Sequence, residues 1–400
     1  MLDCSPMRIA LALLLVPSLA IAEPHPQPLQ PLPNDKLTAL APLLKGADLA
    51  LIESTDKGHI KQLTTISLVA APPETVREIV MHPEKYGDFV RNMVESSIKP
   101  GPNGTIDHQY KLSYKIYTVE GRHRYVALPP DGTGAAPVDM YDPDENGQRH
   151  YRWEFLPAGG GTVVVLYGFT IIPQDGFMKQ YIDRAPTLEL GLGLIPQMTL
   201  LLAVKQRAEA VSGHRSVGAL AGTPSFGFLL QRGTVALFRS IRGQLAETTL
   251  LEDVNAPAEV VLKQLAQPGH WKEFVPTIET SYDVGQKDGY PAGEWTQSVP
   301  LLSWTSKWQL KLDKTSVDMF AYEGDLRQSR MRWDVQPLGA NRSQLVLRTD
   351  EAFEDTSIVL RSLYKLEPLF QYGINVGLEM VVLKGIGLRA EQLAPQRASK

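Results

Sequence analysis

The stretch Ala71-Pro72-Pro73-Glu74-Thr75-Val76 returns 185 residues later as Ala256-Pro257-Ala258-Glu259-Val260-Val261. The spacing holds into the next turn, where Pro83, Tyr86, Phe89 and Val90 answer to Pro268, Trp271, Phe274 and Val275. Further on, Val138-Asp139-Met140-Tyr141 matches Val317-Asp318-Met319-Phe320 at an offset of 179. Arg152-Trp153-Glu154 matches Arg332-Trp333-Asp334 at 180, and Arg207-Ala208-Glu209 matches Arg389-Ala390-Glu391 at 182. Ahead of the motif, Ala50-Leu51 and Ser54 match Ala236-Leu237 and Ser240 at 186. Collinear matches with so small a drift mean a duplicated unit. The drop from 185 to 179 predicts a longer loop in the first copy, at Pro129–Pro137.

Each copy has one order of elements. A strand precedes the Ala-Pro motif. A short helix starts near Pro73, where proline suits the first turn and Glu74 favours the helix dipole. A second short helix carries Tyr86 and Phe89. Strands follow, punctuated by Gly101-Pro102-Asn103-Gly104 and Gly159-Gly160-Gly161. A long helix closes each copy, over 188–211 and 360–393. The first is apolar on most faces, which predicts burial against a sheet.

Side-chain alternation assigns the strand faces. Trp304, Ser306, Trp308, Leu310 and Leu312 alternate with Thr305, Lys307, Gln309 and Lys311. Tyr151, Trp153 and Phe155 alternate with His150, Arg152 and Glu154. Each sheet is therefore predicted antiparallel, with one dry and one solvated face.

Composition narrows the class. Of 400 residues, 43% are hydrophobic and 21% charged, so the chain has the means to build cores. The net charge of −4 offers no general attraction to nucleic acid. One cysteine excludes a disulfide framework. A mean hydropathy of −0.14 excludes a polytopic membrane protein. Arg8, the apolar run 9–16 and Ala20-Ile21-Ala22 read as a signal peptide cleaved after Ala22. Export then places the chain in the periplasm or outside the cell. The predicted organisation is a signal peptide at 1–22, a Pro-rich spacer and lead-in at 23–45, and a first domain at 46–212. A linker at 213–232, a second domain at 233–393 and a tail at 394–400 follow. Five prolines in 24–33 predict a stiff spacer without a core of its own.

This order of elements resembles the helix-grip fold of the START-like, SRPBCC superfamily. Its members include lipid-transfer domains, coenzyme-Q-binding proteins and polyketide cyclases. The resemblance covers about residues 46–212 and 233–393. It implies an α+β chain of two tandem helix-grip domains, each a curved antiparallel sheet around a long C-terminal helix. It also implies a ligand cavity between sheet and helix.

Aromatic residues dominate the presumed inner faces. In the first copy they are Tyr110, Tyr114, Tyr125, Tyr151 and Trp153; in the second, Trp271, Trp295, Trp304, Trp308 and Trp333. Pockets for apolar ligands are lined this way, and so are plain cores. Five of six tryptophans fall in the second copy, which predicts two differently lined sites. His123 shares the register of Trp308 on the inner face. There it suits a ligand-orienting or basic role, or that of a hydrogen-bonded core histidine. Arg152/Glu154 and Arg332/Asp334 read as cross-strand ion pairs on the solvated faces. Arg122 and Arg124 alternate outward beside His123.

No metalloprotease, nucleophile-elbow, phosphate-loop or dinucleotide motif occurs. The eight histidines lack ligand spacing, so neither a metal nor a cofactor is expected. Three functions remain: an exported binder or carrier of an apolar small molecule, lipid, sterol-like or quinone-like; a polyketide cyclase-like enzyme using His123, Tyr110 and Tyr125; and a non-catalytic envelope module. The expected partners are the apolar ligand and a transient membrane or envelope-protein contact, with no nucleic acid.

Overall fold

The computed structural model describes residues 28–394 apart from 115–116, 131, 133, 144–148, 171–175, 242–243, 300–301 and 351–367. The signal peptide, Cys4, most of the Pro-rich spacer, the start of the last helix near 360 and the tail from 395 lie outside the described residues.

The chain begins with two short helices, α1 (Asn34–Ala39) and α2 (Ala41–Leu44). Strands β1 (Asp48–Ser54) and β2 (Ile60–Val69) form a hairpin. Helix α3 (Pro73–Val80) carries Pro73 at its first position and Glu74 in its first turn. A 3-10 turn at Pro83–Asp88 follows. A meander then runs through β3 (Met93–Pro100), β4 (Ile106–Tyr114), β5 (Tyr117–Ala127), β6 (Ala135–Tyr141), β7 (Arg149–Ala158) and β8 (Gly161–Thr170). Helices α4 (Gly176–Arg184) and α5 (Leu188–Val211) close the first half.

A four-residue helix, α6 (Gly227–Leu230), leads into the second half. Its strands are β9 (Thr234–Ile241) and β10 (Gln244–Val254), then helix α7 (Ala258–Leu265) and a 3-10 turn at Pro268–Glu273. Strands β11 (Ile278–Lys287), β12 (Tyr290–Val299), β13 (Leu302–Leu312), β14 (Ser316–Gly324), β15 (Arg330–Gly339) and β16 (Arg342–Asp350) complete the meander. A π-helical turn at Gln371–Asn375 opens helix α8 (Val376–Leu393). The β5–β6 loop spans 128–134, whereas its counterpart spans 313–315, as the falling offset requires.

The architecture is α+β, with one large antiparallel sheet and a C-terminal helix. All sixteen described strands form that sheet, in the order β11-β12-β13-β14-β15-β16-β10-β9-β1-β2-β8-β7-β6-β5-β4-β3. The two halves meet at β1 and β9, which pair antiparallel with Ala50 opposite Ala236. These are the equivalent residues of the lead-in repeat. Equivalent positions therefore face each other across a local two-fold axis at that pair. The closing helices cross on the same axis. A side chain on Gly191 would meet the Gly373 carbonyl oxygen at 2.1 Å, and one on Gly373 the Gly191 oxygen at 2.6 Å.

Overpacking of this kind costs about 1–3 kcal/mol, against about 1 kcal/mol gained in helix propensity. Gly191→Ala is therefore expected to destabilise in urea unfolding. Gly377→Ala, whose added carbon has 3.5 Å of room, is expected to leave stability equal or higher. Equal effects at the two glycines would refute the crossing.

The repeated motifs hold equivalent joints together. Glu209 accepts the Ala70 N–H at 3.2 Å and Glu391 the Asn255 N–H at 2.8 Å, each just before the Ala-Pro pair. Arg207 lies over the Phe89 ring at 5.9 Å and Arg389 over Phe274 at 6.0 Å. These residues serve the fold.

One expectation needs correction. The central strands are dry on both faces. Ala50 and Ile52 join the core beneath α5, while Leu49 and Leu51 pack under α1, α2 and α6. Glu154 is buried there too and accepts a bond from the Tyr167 hydroxyl at 3.3 Å, rather than facing water. The end of the Pro-rich stretch is likewise anchored: Leu32 is buried and its N–H bonds Tyr167 Oη at 3.0 Å. The cause is composition, because a nearly continuous apolar run needs cover on both sides. Towards the rim the sheet faces are solvated. Arg152 there forks onto Asp139 at 2.7 and 3.2 Å, and Arg332 meets Asp318 and Asp334. Arg124 pairs outward with Asp107 at 2.7 Å. Helix α5 is long and apolar enough to cross a membrane, and 72% of its most apolar window is buried inside the fold.

Candidate functional site

The same positions on the two inner faces carry different chemistry. In the first half, β4 alternates Ile106, His108, Tyr110 and Leu112 toward the interior, and β5 sets His123 directly opposite His108. The rings of Tyr110 and His123 lie 4.8 Å apart, His108 and Tyr110 5.6 Å, and His123 and Tyr151 5.6 Å. His108 also meets Tyr125 at 5.8 Å and Tyr86 at 5.7 Å. Arg149 reaches the rim of this cluster and donates to the Tyr110 hydroxyl at 3.3 Å.

The tautomer of His108 follows from its neighbours. Ser96 Oγ donates its one hydrogen to the Pro83 carbonyl at 2.5 Å. The 2.8 Å contact between Ser96 Oγ and His108 Nε2 then requires the imidazole N–H to donate. Nδ1 is left as an acceptor, buried and without a partner, and Nε2 of His123 is likewise buried without a partner. Desolvation pushes His108 down to about 4 and His123 to about 3, the latter helped by His108 and Arg149. Both imidazoles are neutral at pH 7. Burial also pushes the hydroxyls of Tyr86, Tyr110 and Tyr125 up, so they are protonated donors.

In the second half Trp271 stands for Tyr86, Trp295 for Tyr110 and Trp308 for His123. Trp295 and Trp308 stack at 5.1 Å with planes 5° apart; Trp271 tilts against Trp295 at 4.9 Å and meets Trp333 edge-on at 6.5 Å. The Trp271 N–H donates to the Gln264 carbonyl at 3.0 Å. The N–H groups of Trp308 and Trp333 are buried without an acceptor. Together with Trp304 these indoles line a cavity of about 110 Å³ between β12, β13, β15, β16 and α8. Glu379 on α8 completes the wall and accepts a bond from Thr349 Oγ at 2.7 Å. The matching pair in the first half is Gln197 and Gly168, where the amide donates to the Leu63 carbonyl at 3.4 Å.

The structure thus brings together Tyr110, His123, Tyr125 and Tyr151 in one cluster and the five tryptophans around one cavity. Trp153 lies apart, stacked on Phe155 at 6.4 Å with its N–H on Met140 Sδ at 3.0 Å. The side chain of Tyr114 is outside the described residues. His108, Tyr86, Arg149 and Glu379 were not among the expected site residues. Alternation with Tyr110 was the available signal for His108. Among the described residues no group of three or more His, Cys, Asp or Glu side chains is placed to hold a metal ion.

No protein-family model and no curated protein matches the chain. Solved structures do. A START superfamily protein from Mycobacterium smegmatis is 15% identical, over 37% of this chain and 99% of that one, with a TM-score of 0.30. A STAR-related lipid transfer protein from Xanthomonas axonopodis is 16% identical, over 40% and 94%, with a TM-score of 0.31. The di-domain ARO/CYC StfQ of the steffimycin biosynthetic pathway is 13% identical, over 82% and 98%, with a TM-score of 0.29. The chain is thus similar to START-like proteins of one and two domains. At these identities and scores the likeness carries no inference about ligand or chemistry.

Proposed function

We propose that this chain is an exported binding or carrier protein for an apolar small molecule, held between sheet and closing helix in two tandem helix-grip domains. The observation that carries the reading is the indole-lined cavity of about 110 Å³ in the second half. Ligand pockets usually measure about 300–1,000 Å³. The cavity as it stands takes a ring or a headgroup, and a longer lipid enters only with movement of α8. The neutral histidines support binding over catalysis. A general base works best with a pKa near the working pH, and an imidazole at about 4 is a weak base at neutrality.

Native mass spectrometry of the chain secreted from a periplasm, purified without detergent, tests both parts. A cleaved N-terminus at Glu23 and a bound apolar mass are the expected results. An empty protein that also refuses added fatty acid, sterol and quinone would overturn the carrier reading. A retained Met1 would overturn export.

A further inference from the structure

The indoles form the closed back of the second-half cavity. None of the five is more than 6% exposed, and Trp295 and Trp308 stack on each other. The apolar lining that stays open is aliphatic. Ile374, Leu378 and Val382, on α8 and the turn that opens it, line the cavity half-buried, as do Leu326 and Met331 on the sheet side. The three on the helix are spaced four residues apart. They therefore share one side of it and form a strip about 12 Å long and one side chain wide. Val376, Met380 and Leu383 beside them are buried, so the strip is the apolar part of α8 that the core leaves open. Glu379 accepts from Thr349 on β16 and belongs to the wall. At the mouth Arg330 and Asp350, both exposed, are cross-strand neighbours of opposite charge. A space of about 110 Å³ admits one ring or a chain of similar volume, and the shape of the lining decides between them. A ring is best held against flat aromatic faces, and the indole faces here are closed by their neighbours. A chain needs only a run of aliphatic groups to lie on.

We infer that the second-half cavity takes a straight alkyl chain laid along Ile374, Leu378 and Val382, with its polar end at the mouth, in preference to a ring. This rests on the second half being a ligand site and chooses among the apolar classes it could take.

The test titrates the full chain calorimetrically with octan-1-ol and with cyclooctanol, which share carbon count and hydroxyl group. Neutral probes keep the charges at the mouth out of the comparison. The expected preference for octan-1-ol exceeds about fivefold, the most that its larger apolar surface explains by itself. From hexan-1-ol through dodecan-1-ol, affinity is expected to rise about fourfold per methylene and to level off once the chain outruns the strip. Leu378→Gln is expected to weaken octan-1-ol about fivefold, and Val382→Gln serves in its place if that variant does not fold. Leu388→Gln, at an exposed position of α8 outside the cavity, is expected to bind as the native chain does. A preference under fivefold would overturn the chain class and leave the apolar carrier standing. A rise that continues to tetradecan-1-ol would mean adsorption to open surface and would refute the strip. Unchanged binding in the Leu378 and Val382 variants would place the chain elsewhere and refute the site. Binding of none of the alcohols would overturn this inference and the second half as a ligand site together.

Discussion

Replacing Arg232 by methionine is expected to lower the stability of the chain by about 3–5 kcal/mol, the usual result of stranding a buried charge. Glu53 on β1 is 1% exposed. Its two carboxylate oxygens accept from Nε and Nη2 of Arg232 at 3.1 and 2.8 Å. Nη2 also donates to the Gln30 carbonyl at 2.8 Å. One guanidinium thus ties the N-terminal segment, the first strand and the approach to β9. Without it the carboxylate keeps its desolvation cost and loses its compensation. The double variant Arg232→Met, Glu53→Gln removes the charge as well and is expected to recover most of the loss. Urea unfolding at pH 7 reads both. A loss below about 1 kcal/mol in the single variant would show that Glu53 finds water or another cation.

Acid is expected to weaken the protein well before its carboxylates titrate. His108 and His123 are held at about 4 and 3 by burial, against about 6.5 in an unfolded chain. Between those values the unfolded state binds more protons than the folded one. Stability therefore falls as pH drops through 6.5. A factor of ten in proton affinity is worth about 1.4 kcal/mol, so His108 alone takes away about 2 kcal/mol by pH 4.5. His82 works in the opposite direction. Its pKa is raised by its hydrogen bonds to Glu84 and Glu78, but it is too exposed for the effect to be large. Asp107 and Asp139 lie below the usual carboxylate range, Asp107 through Arg124 and Asp139 through His150 and Arg152. Their stabilisation is lost only below about pH 4. Urea midpoints at pH 7 and 4.5 read the sum of these effects, and His108→Phe should flatten the difference. Equal stability at both pH values would mean that the imidazoles are not buried neutral.

Much of this was legible in the sequence because repetition fixes alignment and alternation fixes faces. Trp308 predicted the inward face of His123, and Trp333 that of Trp153. Alternation also gave a signal for His108, two residues before Tyr110, but its repeat counterpart is Gly293, so the duplication drew no attention to it. Glu379 was illegible for a different reason. Its place depends on how α8 is rotated against the sheet, and a helix apolar on most faces does not declare which face points where. The double burial of β1 had its signal in the run from Leu49 to Ile52. The pairing of β1 with β9 had none, because a repeat says that two strands are alike and not that they touch.

That pairing, with Ala50 opposite Ala236, gives one polypeptide the symmetry of a dimer of identical subunits. In such a dimer every substitution occurs twice, so both interiors must change together. Covalent fusion removes that constraint while the shared edge keeps the assembly intact. The histidine–tyrosine cluster on one side of the axis and the indoles on the other are what two equivalent interiors become when each is free to vary alone.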